Sequence, residues 1–171
     1  PKKVGTQYPP PKLVLFSDGV DSACGNASTQ AGPFYCPVDQ KVYLDMAFFT
    51  QIRATAGDDA DFARAYAIAH EVGHHIQHTL GLLEKVRQRQ QQVDQAEANQ
   101  LQVRVELQAD CLAGVWGHYT AKRNLITRSD LEAAMATAAQ IGDDYLQKQS
   151  GRRVVTEAFT HGSSKQRMEW F

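Results

Sequence analysis

From Asp58 to Gly81 the chain reads DDADFARAYAIAHEVGHHIQHTLG, and the middle of that run is what any fold must accommodate. Acidic residues open it and Gly81 closes it, the order of charge and cap that a helix favours. Phe62, Tyr66, Ala69, Gly73, Ile76 and Leu80 recur at three- and four-residue spacing and form a buried stripe. Among them stand His70, Glu71 and His74, an HExxH pattern. Four-residue spacing stacks the two imidazoles one turn apart, where both can reach a single Zn²⁺ at about 2.0–2.1 Å. Glu71 leans toward the same side and can hydrogen-bond a water on the metal rather than bind the metal itself. With six His and seven Glu in 171 residues, HExxH arises by chance about once in a hundred such sequences. The apolar neighbours Ala67, Ile68, Ala69 and Ile76 also speak against a helix that merely exposes polar groups.

A zinc hydrolase needs a third protein ligand and leaves the fourth position to water. The metzincin pattern would set Gly and His where this chain has Gln77 and Leu80, so that class is excluded. Downstream, VELQADCLAG carries Glu106 and Asp110 four apart on a second helical pattern. Glu106 is the favoured third ligand, and Asp110 can accept from the outer nitrogen of a ligating histidine. Small residues on that face, Ala113 and Gly117, would let the two helices approach. Glu97, Glu132, His161, Asp143 and Asp144 remain rival ligands. His75, about 100° round the helix from His74, should miss the metal and pack. His78 lies one turn further along and could line a cleft or face solvent. His161, in the loop THGSS, can be aimed into a cleft and could donate to an oxyanion.

One domain is the expectation for a chain of this length. A net charge of -1 offers no field for nucleic acid, and no apolar run approaches the roughly 20 residues of a membrane span. Residues 1–12 read as an irregular lead-in and 13–50 as strand-rich, with KLVLFSDG one strand, SACG a second, and a hairpin turning near Asp39 and Gln40. A short helix follows and stops at Gly57. Residues 58–171 are mainly helical. The Gln-rich stretch LLEKVRQRQQQVDQAEANQ is an exposed helix or a mobile flap. SDLEAAMATAAQIGDDYLQKQ is a helix capped by Ser129 with Glu132, and Ser163 with Gln166 opens a last one. The fold class is therefore α+β, a small N-terminal antiparallel sheet packed on a mainly helical body. Cys24 and Cys36 flank a turn region where a disulfide fits, although in a reducing compartment they would stay thiols; Cys111 reads as a buried small hydrophobe.

Taken together, SACG, GPFYCP, VYLD with FF, DFARAYAIAHEVGHHIQ, VRVELQADCLAGVW, AAQIGDDYLQ and FTHGSSKQR resemble the neutral zinc metallopeptidase family of bacteria, in order, from about Ser22 onward. The resemblance implies a zincin-like, gluzincin-type hydrolase with one Zn²⁺ per chain. His70, His74 and Glu106 would be its ligands, Glu71 its catalytic base and Asp110 the partner of a ligand. His161 matches the histidine of the family's THG block. By the same analogy an edge strand, Ser22–Gly25 or Val42–Leu44, would hold a peptide or protein substrate. The resemblance further implies a cell-envelope location, outside the cytoplasmic membrane, with a membrane anchor. This chain has no such segment and fits a trimmed ectodomain, and an oxidising compartment would suit a Cys24–Cys36 disulfide. Two competing readings are a catalytically weak, metal-stabilised binding or adaptor domain and a helical interaction protein that uses residues 88–102.

Overall fold

The computed structural model describes residues 8–28, 32–56, 60–151 and 153–171. Five short strands come first: β1 (Lys12–Phe16), β2 (Gly19–Ser22), β3 (Gly25–Ser28), β4 (Phe34–Cys36) and β5 (Lys41–Asp45). Among the described residues seven α-helices follow: α1 (Met46–Ala56), α2 (Ala60–Thr79), α3 (Leu82–Gln90), α4 (Gln95–Lys122), α5 (Arg128–Gln140), α6 (Asp143–Gln149) and α7 (Ser164–Trp170). The α+β class holds. The stop at Gly57 and the acidic start at Asp58 and Asp59 lie outside the described residues, as does the lead-in before Tyr8.

β5 sits at the centre of a three-stranded sheet in the order β1–β5–β4. Its alternation sorts two faces. Val42 and Leu44 turn toward Phe49, Ile52, Ala60 and Ala63 of the helices, while Tyr43 points the other way, among Phe16 and Cys36 and stacked on Phe34 at 4.7 Å. The sheet is mixed rather than antiparallel as the sequence suggested: β5 pairs antiparallel with β4 but parallel with β1. SACG is also not a strand. It is the turn of the β2–β3 hairpin, whose register pairs Ser22 with Gly25. A Cys24–Cys36 disulfide ties that turn to β4. Asp45 ends the sheet and opens α1, its Oδ1 accepting from the Ala47 N–H at 2.9 Å, as an N-cap does.

The Gln-rich stretch forms two helices, α3 and the start of α4, with Asp94 capping α4 through the Glu97 N–H. The cap of α5 is Thr127 rather than Ser129: Thr127 and Asp130 make the capping box, and Glu132 instead pairs with Arg128 on the helix surface. What reads as one Ala-rich helix breaks at Gly142, where an added Cβ would collide with the Ser164 backbone nitrogen. That close approach puts the start of α7 against the start of α6. The Ser163–Gln166 capping box forms as expected.

α2 and α4 cross where Gly73 meets Ala109; a Cβ on Gly73 would lie 3.1 Å from both the Cα and the carbonyl oxygen of Ala109. Gly117 instead faces the rings of Phe62 and Phe171, where a Cβ would make only ordinary contact. Backbone cannot swing away as a side chain can, so Gly73→Ala should cost about 1–3 kcal/mol despite its better helix propensity. It should also part the histidines of α2 from Glu106 of α4 and lower zinc uptake. Urea unfolding and metal content measure both effects, and a variant as stable and as zinc-rich as the wild type would refute the tight crossing.

Candidate active site

The helical stripe that buries α2 also lowers its polar residues into a cleft. His70, Glu71 and Glu106 are 7%, 8% and 7% exposed, and with His74 they line a cavity of about 930 Å³. His70, His74 and Glu106 offer ligand atoms all within 4.8 Å of one another. Glu106 Oε2 lies 3.2 Å from His70 Nε2 and 3.5 Å from His74 Nε2. With metal bonds of about 2.0–2.1 Å, tetrahedral donors stand roughly 3.3–3.4 Å apart, so both distances from Glu106 to the imidazoles already suit ligands of one zinc ion.

The outer nitrogens fit as well. His70 Nδ1 donates to Asp110 Oδ1 at 2.8 Å, and His74 Nδ1 donates to Gln77 Oε1 at 2.9 Å. The orientation of the Gln77 amide follows from the backbone, because its Nε2 donates to the Val105 carbonyl, which can only accept. Both imidazoles therefore keep a proton on Nδ1 and aim Nε2 at Glu106, where a metal would take the place of the Nε2 proton. Gln77 stands where the metzincin pattern has its glycine. It nonetheless fixes His74.

Charge in the cluster favours a cation. Burial works against a protonated imidazole, yet the Asp110 and Glu106 carboxylates outweigh it and hold His70 up to about 10. His74 is raised against the same desolvation, chiefly by Glu106. Glu106, although burial opposes its charge, is kept well below the ordinary carboxylate range by the two histidines. A divalent metal would replace those protons in the same field.

Asp110, fully buried, is the hub behind His70. Its Oδ1 also accepts from Tyr66 Oη at 2.6 Å and from Arg167 Nη2 at 3.0 Å. The sequence places Tyr66 in the buried stripe without assigning its hydroxyl a partner and gives Arg167 no role, although both sit inside motifs that carry the family resemblance. Arg167 is 1% exposed and comes from α7.

His161 lines the cleft but lies outside the ligand cluster. Its half-exposed ring faces Asp143 at 3.4 Å. Asp143 Oδ2 accepts the backbone N–H groups of Thr160, His161 and Gly162, which fastens the THG loop to α6. The Asp143 side chain raises the His161 pKa. The rival ligands are thus otherwise engaged: Asp143 here, Asp144 with Ser164, Glu97 with Arg89 and Glu132 with Arg128. His75 packs as expected, donating from Nε2 to the Pro9 carbonyl and accepting from Tyr35 Oη. His78 approaches the Tyr35 ring and is not among the cleft residues. Neither proposed substrate strand has a free edge on the cleft, since Ser22–Gly25 is a turn and β5 is paired on both sides. The edge strand that lines the cleft is β4, through Phe34 and Tyr35.

Two imidazoles one turn apart, a carboxylate from the neighbouring helix and a glutamate beside the first imidazole make a His–His–Glu cluster of the HExxH pattern that could hold a metal ion. The chain belongs to the family described as "Putative neutral zinc metallopeptidase", whose profile matches residues 2–171. It is 51% identical over 170 residues to uncharacterized protein YpfJ of Escherichia coli (strain K12), an overlap of 99% of this chain and 59% of that protein. It is 44% identical over 178 residues to uncharacterized protein Rv2575 of Mycobacterium tuberculosis (strain ATCC 25618 / H37Rv), covering 96% of this chain and 58% of that protein. The chain thus spans just under three fifths of the length of these relatives. No solved structure matches it. No described helix is long and apolar enough to cross a membrane.

Proposed function

We propose that the chain is a zinc-dependent peptidase that hydrolyses peptide bonds with Glu71 as general base. The observation that carries this reading is the convergence of His70 Nε2, His74 Nε2 and Glu106 Oε2, with both Nδ1 atoms already committed elsewhere. Zinc, when bound, acidifies a water and polarises a carbonyl. Glu71, at the cleft wall and outside the ligand set, takes the proton from the attacking water and returns it to the departing amine. His161, steadied by Asp143, donates to the oxygen on which negative charge develops. The edge of β4 offers main-chain groups to an extended peptide. Apart from the reacting cluster and Arg167, the cleft is lined by neutral side chains such as Phe48, Ile52, Tyr145 and Leu146, which suits apolar or uncharged substrate residues. A site outside the cytoplasmic membrane agrees with the Cys24–Cys36 disulfide; recovery of both cysteines as thiols from freshly opened cells would speak against it.

The test begins with metal content in protein purified without chelator. About one zinc per chain is expected from a three-ligand site, and Glu106→Ala should lose most of it, since two imidazoles alone hold zinc weakly. No zinc in the wild type, even after reconstitution, would defeat the proposal. Zinc without cleavage of any peptide in a mixed pool would leave a metal-stabilised binding domain.

A further inference from the structure

The Gln-rich stretch takes no part in the chemistry proposed above, yet it ends at the metal cluster. Gln102 stands one turn before Glu106 on α4, and its Nε2 donates to Glu106 Oε1 at 2.9 Å. The other carboxylate oxygen, Oε2, is the one that faces His70 and His74. An ionised carboxylate only accepts, so the amide must turn its NH₂ end toward Glu106 and its carbonyl end away. At that far end Gln90 of α3 donates from Nε2 to Gln102 Oε1 at 3.4 Å, and the same Gln90 amide reaches the Ala98 carbonyl at 3.1 Å. Both ends of Gln102 are therefore held, one by the ligand and one by the neighbouring helix.

We infer that Gln102 is a positioning residue that keeps Glu106 a one-oxygen ligand, and that Gln90 ties this control to α3. The inference rests on the zinc-peptidase reading of the same cluster. A carboxylate free to turn can offer both oxygens to a cation, and the second would add a fifth donor that crowds the position water needs in a hydrolytic site. Engaging Oε1 with an amide donor removes that competitor and leaves Oε2 to complete the tripod. The amide-rich surface thereby acquires a task. It forms the outer frame of the metal ligand, and the placement of α3 reaches Glu106 through two side-chain amides.

Cobalt(II) loaded in place of zinc reports coordination directly, because its visible absorption weakens when four ligands become five. Gln102→Met keeps the shape of the side chain and removes the donor. It should lower the visible absorption per bound cobalt and reduce zinc affinity about tenfold, the usual scale for losing an outer hydrogen bond to a ligand. Gln90→Met, on the other helix, should shift the spectrum in the same direction by less, and it decides the matter if Gln102→Met does not fold. An absorption per bound cobalt in the variants equal to that of the wild type would overturn the positioning role while leaving the peptidase reading intact. A wild-type chain that takes up neither zinc nor cobalt would remove both.

Discussion

Glu71→Gln should abolish peptide hydrolysis while zinc content stays at the wild-type level. The substitution is isosteric and the residue stands outside the His70–His74–Glu106 cluster, so neither the ligands nor their outer hydrogen bonds are disturbed. What changes is one capacity. An amide cannot take a proton from water and hand it to an amine, and loss of a general base reduces turnover about a hundredfold to ten-thousandfold. Turnover of a peptide pool followed by mass spectrometry, with zinc measured on the same preparation, separates this loss from loss of metal. A variant that cleaves at the wild-type rate would show that another group moves the proton.

The second large effect is on stability. Asp110 is fully buried, and its charge is balanced by Arg167 at 3.0 Å. Arg167→Met leaves that carboxylate with only the His70 imidazole as a cationic partner, and Asp110→Asn leaves the guanidinium without its counterion. Either change should cost about 3–5 kcal/mol, the scale for breaking a buried pair. The double variant should lose much less than the sum of the two, since no lone ion remains. Additive losses would mean that the two charges do not interact. Burial opposes the Asp110 charge, yet His70, Arg167 and Tyr66 hold its pKa below the ordinary value. The unfolded chain therefore takes up that proton first as pH falls. The stability that Asp110 contributes is complete above its unfolded value of about 3.9 and drains away below it. Urea unfolding of chelator-treated protein against pH should show a shallower acid limb in the double variant than in the wild type.

The parts of this molecule that a sequence could announce are those with local periodicity. The α2 stripe, the HExxH spacing and the capping box at Ser163 each depend on residues within a turn or two of one another. So does the spacing that sets Asp110 one turn beyond Glu106. Other features depend on distance or direction, which periodicity does not carry. Short apolar runs in β1 and β5 mark them as strands but are blind to whether they run parallel. Thr127–Asp130 and Ser129–Glu132 offer overlapping capping boxes of the same spacing, and an Arg128–Glu132 pair that needs both residues inside the helix accompanies the first. Gln77, Gln102 and Arg167 were hardest to read. Gln77 and Gln102 lie within a turn of His74 and Glu106, but nothing in the pattern separates such a glutamine from one that faces solvent, and Arg167 meets Asp110 only when two helices come within reach.

The tie between Asp110 and Arg167 also imposes an order in time. The two residues lie 57 positions apart, and Tyr66 and Arg167 lie 101 apart. A ribosome delivers the histidine pair of α2 and the carboxylates of α4 well before it delivers the guanidinium of α7. Until that last helix docks, Asp110 lacks its counterion and His70 has an unsettled support. A nascent chain thus holds the candidate ligands before the support behind His70 is complete, and that support arrives only with α7.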